Sequence, residues 1–173
     1  MCIRDRSDVV LDSTYPVYCF KWTDIHPETN DVVFHFQGNA SGGSGYNETM
    51  TTTLFYAYGI ESGSDAAVGY HANFDQAQGT AYQALCQHLG ADNDQSTSGT
   101  LWLFGPSSTT FVKHYMATVS MSDPDDSANV VYTAGYFNTT SAIDEIQFKM
   151  SSGNIDAGKI KLFGIKAVSY THL

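Results

Sequence analysis

Read for hydrophobic and polar positions, most of the chain alternates with a period of two. Residues 142–165 (AIDEIQFKMSSGNIDAGKIKLFGI) carry the pattern most plainly. Ile146, Phe148 and Met150 fall on one side of a first run and Gln147 and Lys149 on the other. Ile160 and Leu162 oppose Lys159 and Lys161 in a second. Successive strand side chains face opposite ways, so both runs predict half-buried β-strands. The Ser151–Asn154 and Asp156–Gly158 clusters supply turn chemistry.

Upstream, residues 15–22 (YPVYCFKW) predict a strand with Tyr18, Phe20 and Trp22 on one face and Val17 and Cys19 on the other. Residues 24–31 read as a polar return. Val32, Phe34 and Phe36 begin a second strand, followed by the flexible loop NASGGSG (39–45). The Thr- and Tyr-rich stretch 46–60 has the strongest β-propensity, with Met50, Thr52, Leu54, Tyr56 and Tyr58 on one face. Residues 66–77 read as irregular, with at most a short strand near 68–70. Residues 81–89 (AYQALCQHL) fit a helical template through Tyr82, Leu85, Cys86 and Leu89; the β character on both sides favours a strand. Residues 100–104 (TLWLF), 110–120 and 129–138 complete the series.

Eight to ten short strands with turn signals between them and no convincing helix predict an all-β fold, an antiparallel β-sandwich of jelly-roll type. No repeat or linker divides it, so residues 8–166 are expected to form one domain. The end segments are set apart. MCIRDRS (1–7) holds the chain's only two arginines, and VSYTHL closes it; both resemble translated sequencing-adapter sequence, so 1–7 and 167–173 are left out of the fold argument.

Composition narrows the function. The chain has 173 residues, 42% hydrophobic and 13% aromatic, which is enough for a core without metal or disulfide support. Its formal net charge of −10 disfavours nucleic acid, whose phosphates call for a basic face. Without the end segments, seventeen acids stand against six lysines. Cys19 and Cys86 sit in no CxxC or zinc spacing and read as buried thiols. No run approaches the roughly 18 apolar residues of a membrane helix, and no signal-peptide core is evident, so neither membrane insertion nor secretion is expected.

No catalytic chemistry is spelled out. There is no GxSxG and no P-loop, and Asp144 and Glu145 are adjacent, which puts them on opposite faces of a strand. The histidines make no HxH or HxxxH pair. Residues 92–96 (DNDQS) begin like a calcium loop, but Thr97 stands where the turn glycine belongs and Leu103 where the closing glutamate belongs. Asp123, Asp125 and Asp126 read as a solvated acidic loop. No enzyme, cofactor, metal or catalytic residue is therefore expected. The three Asn-x-Ser/Thr sequons at Asn39, Asn47 and Asn138 mean little without a secretory signal.

What stands out is that the strands at 15–22 and 100–104 are apolar on both faces, whereas a two-layer sandwich buries one. Another subunit is a natural second cover. Trp22, Tyr58, Trp102 and Phe104 are accordingly the candidate residues, as interface anchors or as platforms for a cell-surface glycan.

Residues 75–82 (DQAQGTAY), 98–114 (SGTLWLFGPSSTTFVKH) and 142–165 resemble a group of uncharacterised structural proteins of tailed bacteriophages, mainly marine ones. The likeness runs from about residue 15 to 165, with Gly105 standing where Asn is expected before Pro106. The resemblance implies a virion component of jelly-roll type, in the tail or on the particle surface, made in the host cytoplasm. It implies no catalytic residues. The expected partners are other virion proteins and copies of the chain itself, a trimer being one form.

Overall fold

Alternation in the sequence becomes alternation in burial. Along residues 113–121 every odd position is buried and every even one exposed, so Lys113, Tyr115, Ala117, Val119 and Met121 point inward while His114, Met116, Thr118 and Ser120 point outward. The computed structural model describes residues 11–166. The expected end segments, 1–7 and 167–173, lie outside this range. Eleven strands form: β1 (Val17–Pro27), β2 (Val32–Ala40), β3 (Met50–Ile60), β4 (Ala66–Tyr70), β5 (Ala77–Gly79), β6 (Gln83–Leu89), β7 (Thr97–Phe104), β8 (Lys113–Ser122), β9 (Ser127–Phe137), β10 (Ile143–Met150) and β11 (Ile155–Ile165). A single 3₁₀ turn at Ala72–Phe74 is the one helical element among the described residues.

The strands make two antiparallel sheets of unequal size. The large sheet runs β11-β1-β7-β8-β9-β3-β4, with the short β5 also paired to β3; the small one is β10-β2-β6. The architecture is an all-β, antiparallel β-sandwich. β7, β8 and β9 form a meander of successive hairpins, whereas β1 is held between β7 and the last strand, β11. β10 and β11 are consecutive in the chain yet belong to opposite sheets.

Aromatic side chains fill the space between the sheets. Phe34 and Phe36 of β2 are fully buried and meet Trp22 at 5.6 Å and Tyr115 at 5.0 Å between ring centroids, in edge-to-face geometry. Phe148 stacks on Phe34 at 5.9 Å. Room for the two largest inward rings comes from glycines on neighbouring strands. Trp22 is paired with Gly99, and Tyr115 with Gly135. The Trp22 ring occupies the space that a side chain at Gly99 would need.

Buried polar side chains tie down the loops, because a buried polar group must find a partner. Gln37 donates to the carbonyls of Glu48, Thr80 and Ala81, bracing two loops at once. Gln83 donates to the Phe74 carbonyl at 3.0 Å and accepts from the Thr52 hydroxyl. Gln95 donates to the Asp123 carbonyl and accepts from the Asp92 amide. Lys113 is fully buried, and its Nζ donates to the carbonyls of Phe111 at 2.8 Å and Thr139 at 3.0 Å; burial lowers its pKa.

The strand expectation for residues 81–89 holds, with β6 starting at Gln83. Several boundaries differ from those read in the sequence: β2 runs on to Ala40 through the start of the expected loop, β7 begins at Thr97 rather than residue 100, and β11 takes in the expected turn at 156–158. β1 continues through the polar residues 23–27, because a register shift between Trp22 and Ile25 returns Ile25 to the core and leaves Asp24 at φ 52°. The strand count rises to eleven through β4 and the three-residue β5, which read as irregular because both are short and exposed.

One contact makes stability depend on pH. His26 places Nδ1 2.8 Å from Asp156 Oδ1 and Nε2 3.2 Å from the Asp92 carbonyl, a geometry that both ring nitrogens can satisfy only as the imidazolium. Burial alone would lower its pKa. The Asp156 carboxylate and the Asp92 carbonyl outweigh that and raise it. A raised pKa means that this stabilisation is complete below the unfolded value of about 6.5 and is lost as pH climbs through the higher folded value. The stability difference between wild type and His26→Gln is therefore expected to shrink from pH 6 to pH 8 by up to ~1 kcal/mol, since Asp156 is half-exposed. Urea titration at the two pH values checks it. The paired comparison also cancels His35, whose pKa burial lowers and whose contribution has the opposite sign.

Candidate interaction surface

Among the described residues, the unequal sheets leave one broad surface without a covering layer. The small sheet packs on the inward face of the large one; no described element packs on the outward face. Strand register fixes which side chains line it. One outward row runs Phe163, Cys19, Trp102, Met116, Ala134 and Thr53. The next runs Lys161, Lys21, Thr100, Thr118, Tyr132, Phe55 and Tyr70. Beyond the first row, Ile165, Val17 and Phe104 stand side by side.

Exposure confirms the apolar character of this face. Nine large hydrophobic residues are exposed among those described, and only Phe111, in the loop after β7, lies elsewhere. Met116 is 57% exposed and Phe163 45%. Phe55 and Tyr132 stack with centroids 4.9 Å apart. Scattered single apolar residues on a surface need no explanation, but a row of them across seven strands calls for one. Cys19 belongs to this face yet is 1% exposed, and burial raises its thiol pKa, so it acts as an apolar filler between Phe163 and Trp102.

The four aromatics singled out in the sequence fall in three places. Trp102 and Phe104 lie on the outward face. Trp22, at 2% exposure, lies in the core, which removes it as a surface anchor: the hydrophobic face of β1 that holds it is the one turned toward the small sheet. Tyr58 lies on the opposite side of the large sheet, half-buried beside Tyr56, its hydroxyl donating to Asp65 at 2.7 Å. Phe55, Met116, Tyr132, Phe163 and Ile165 join Trp102 and Phe104 on the outward face without standing out in the sequence. Their signal was present as apolar residues at the off-phase positions of already apolar strands, but only the register joins them into one patch.

Charge is distributed unevenly around this face. Lys21 and Lys161 stand directly opposite each other on β1 and β11, and Lys159 is two residues along on the same face. Like charges directly opposite are unfavourable. Among the described residues none of the three has a carboxylate within 4.0 Å, and both ion pairs are histidine–aspartate. Lys21 reaches instead over the Phe163 ring, 5.7 Å from its centroid. Seven of the sixteen acids among the described residues lie in the loops after β3, β6 and β8. There Glu61, Asp94 and Asp126 help line an open recess of about 510 Å³ with Ser96, Ser98 and Ser120. Among the described residues no three His, Cys, Asp or Glu side chains are placed to hold a metal ion.

Compared with protein-family models, with curated proteins and with solved structures, the chain has no match.

Proposed function

We propose that this chain is a non-enzymatic structural subunit of a tailed-phage virion, in the tail or on the particle surface, that works by associating with copies of itself and with other virion proteins. The observation that carries the self-association is the uncovered apolar face of the large sheet. Eight large hydrophobic residues exposed on one side of one sheet are costly for an isolated subunit, and burial against another copy recovers about 25 cal/mol for each Å² removed from water. The phage assignment is supported by the resemblance of residues 75–82, 98–114 and 142–165. Glycan binding, the other expectation from the aromatics, has less behind it, because Trp22, Tyr58 and the Trp102–Phe104 pair form no common platform.

The reading is tested by size-exclusion chromatography with light scattering. Wild type is expected to be oligomeric at micromolar concentration. Met116→Glu puts a charge at the middle of the apolar row, on a side chain that is 57% exposed, and is expected to yield a monomer that still unfolds cooperatively. A monomeric wild type sinks the self-association. Neighbouring open reading frames that encode no virion proteins would count against the phage assignment.

A further inference from the structure

The outward face carries both of its own electrostatic halves, and their placement says how two copies meet. The lysines occupy β1 and β11, the strands on one side of β7. The acidic recess extends from Ser98 on β7 across Ser120 on β8 and Ala128 on β9 to Gly59 and Glu61 at the end of β3, on the other side. Adjacent strands are about 4.8 Å apart, so the two features lie at comparable lateral distances from β7. Along the strands they nearly coincide. The Lys21–Thr100–Thr118 row is the outward row next to Ser98–Ser120, well within the reach of a lysine side chain.

We propose that two copies pack outward face to outward face about a two-fold axis that lies in the face along β7, so that Lys21, Lys159 and Lys161 of each copy enter the Glu61–Asp94–Asp126 recess of the other. This rests on the self-association reading above and goes further by fixing its symmetry and contacts. A two-fold axis makes one patch serve on both subunits, and a patch that is positive on one side of the axis and negative on the other is complementary to itself. The same operation sets Trp102 and Phe104 against their own copies near the axis and brings Met116 of one copy over the Cys19 position of the other. It also accounts for the opposed Lys21–Lys161 pair. Three ammonium groups with no carboxylate within 4.0 Å among the described residues, in a chain with a large excess of acids, are unfavourable in one subunit and neutralised in two. The recess suits them, since its carboxylate, hydroxyl and amide oxygens are all acceptors.

The test is a charge swap. Lys21→Glu/Lys161→Glu and Glu61→Lys/Asp94→Lys are prepared as two double variants, and their association is followed by analytical ultracentrifugation beside wild type and Met116→Glu. Each double variant alone opposes like charges twice and is expected to dimerise at least ~10-fold more weakly than wild type. An equimolar mixture restores both contacts and is expected to return to wild-type affinity as a heterodimer. Lys161→Glu alone, which replaces the like-charge pair with an opposite one inside the subunit, serves as the folded control by thermal melt. Double variants that self-associate like wild type, a mixture that stays monomeric, or a three-fold wild-type particle each overturn the proposal. If wild type is dimeric and Met116→Glu disrupts it while the charge swap does nothing, the two-fold electrostatic pairing fails and the self-association reading stands. If wild type never associates, both fail.

Discussion

Phe36→Ala is expected to destabilise the protein by about 3–5 kcal/mol, the usual cost of truncating a fully buried phenylalanine. Phe36 has no exposed surface and joins three packed rings: Tyr115 at 5.0 Å, Phe137 at 6.2 Å and Phe148 at 6.3 Å. It stands on the central strand of the small sheet, so its loss opens a cavity where that sheet meets β8 and β9. The apolar contacts of its inward face, together with hydrogen bonds such as that from Thr52 to Gln83, hold the three-stranded sheet in place. For a domain of this size the loss corresponds to a fall in Tm of roughly 6–20 °C. Urea unfolding checks it, with the midpoint expected to drop at an unchanged slope. A change below about 1 kcal/mol would mean that the cavity collapses or that Phe36 is not the link between the sheets.

Gly99→Ala is the second large effect, expected at about 3 kcal/mol for a single added methyl group. A Cβ at Gly99 would lie 2.6 Å from the Thr118 carbonyl oxygen and 2.7 Å from Trp22 Cζ2. The first obstacle is backbone of the neighbouring strand β8, and the second is a buried indole wedged against Phe34, so neither can give way without opening the core. Gly99 takes no unusual backbone conformation; the glycine is needed for close approach alone. Gly59→Ala is the matched control, because nothing lies within 4 Å of a Cβ there, and it is expected to change stability by less than ~0.5 kcal/mol. Thermal melts of the two variants against wild type separate close approach from a generic strand penalty. Equal effects would sink the argument from Trp22.

These predictions differ in how far the sequence foreshadows them. Burial of Phe34 and Phe36 is legible from alternation alone, since strand period is a property of the backbone and needs no knowledge of the partner strand. The need for Gly99 is not, because Trp22 is 77 residues away in the chain and only the β1–β7 register brings the two together. The candidate surface divides in the same way. Trp102 and Phe104 follow from a strand apolar on both sides. Trp22 reads identically in the sequence and belongs to the core, because its strand turns that face toward the small sheet. The Lys21–Lys161 pair is invisible until β1 and β11 are known to be neighbours.

Residues 142–165 show where the division falls. Alternation there determines two strands, which residues share a face, and a turn between them. By itself it leaves open whether the strands pair as a hairpin. In the folded chain they separate, β10 joining β2 in the small sheet and β11 joining β1 at the edge of the large one. Side-chain alternation is local and is written residue by residue. Strand neighbours, sheet size and the face left uncovered are set by how all the apolar faces are buried together, and that competition is decided only when the whole chain packs.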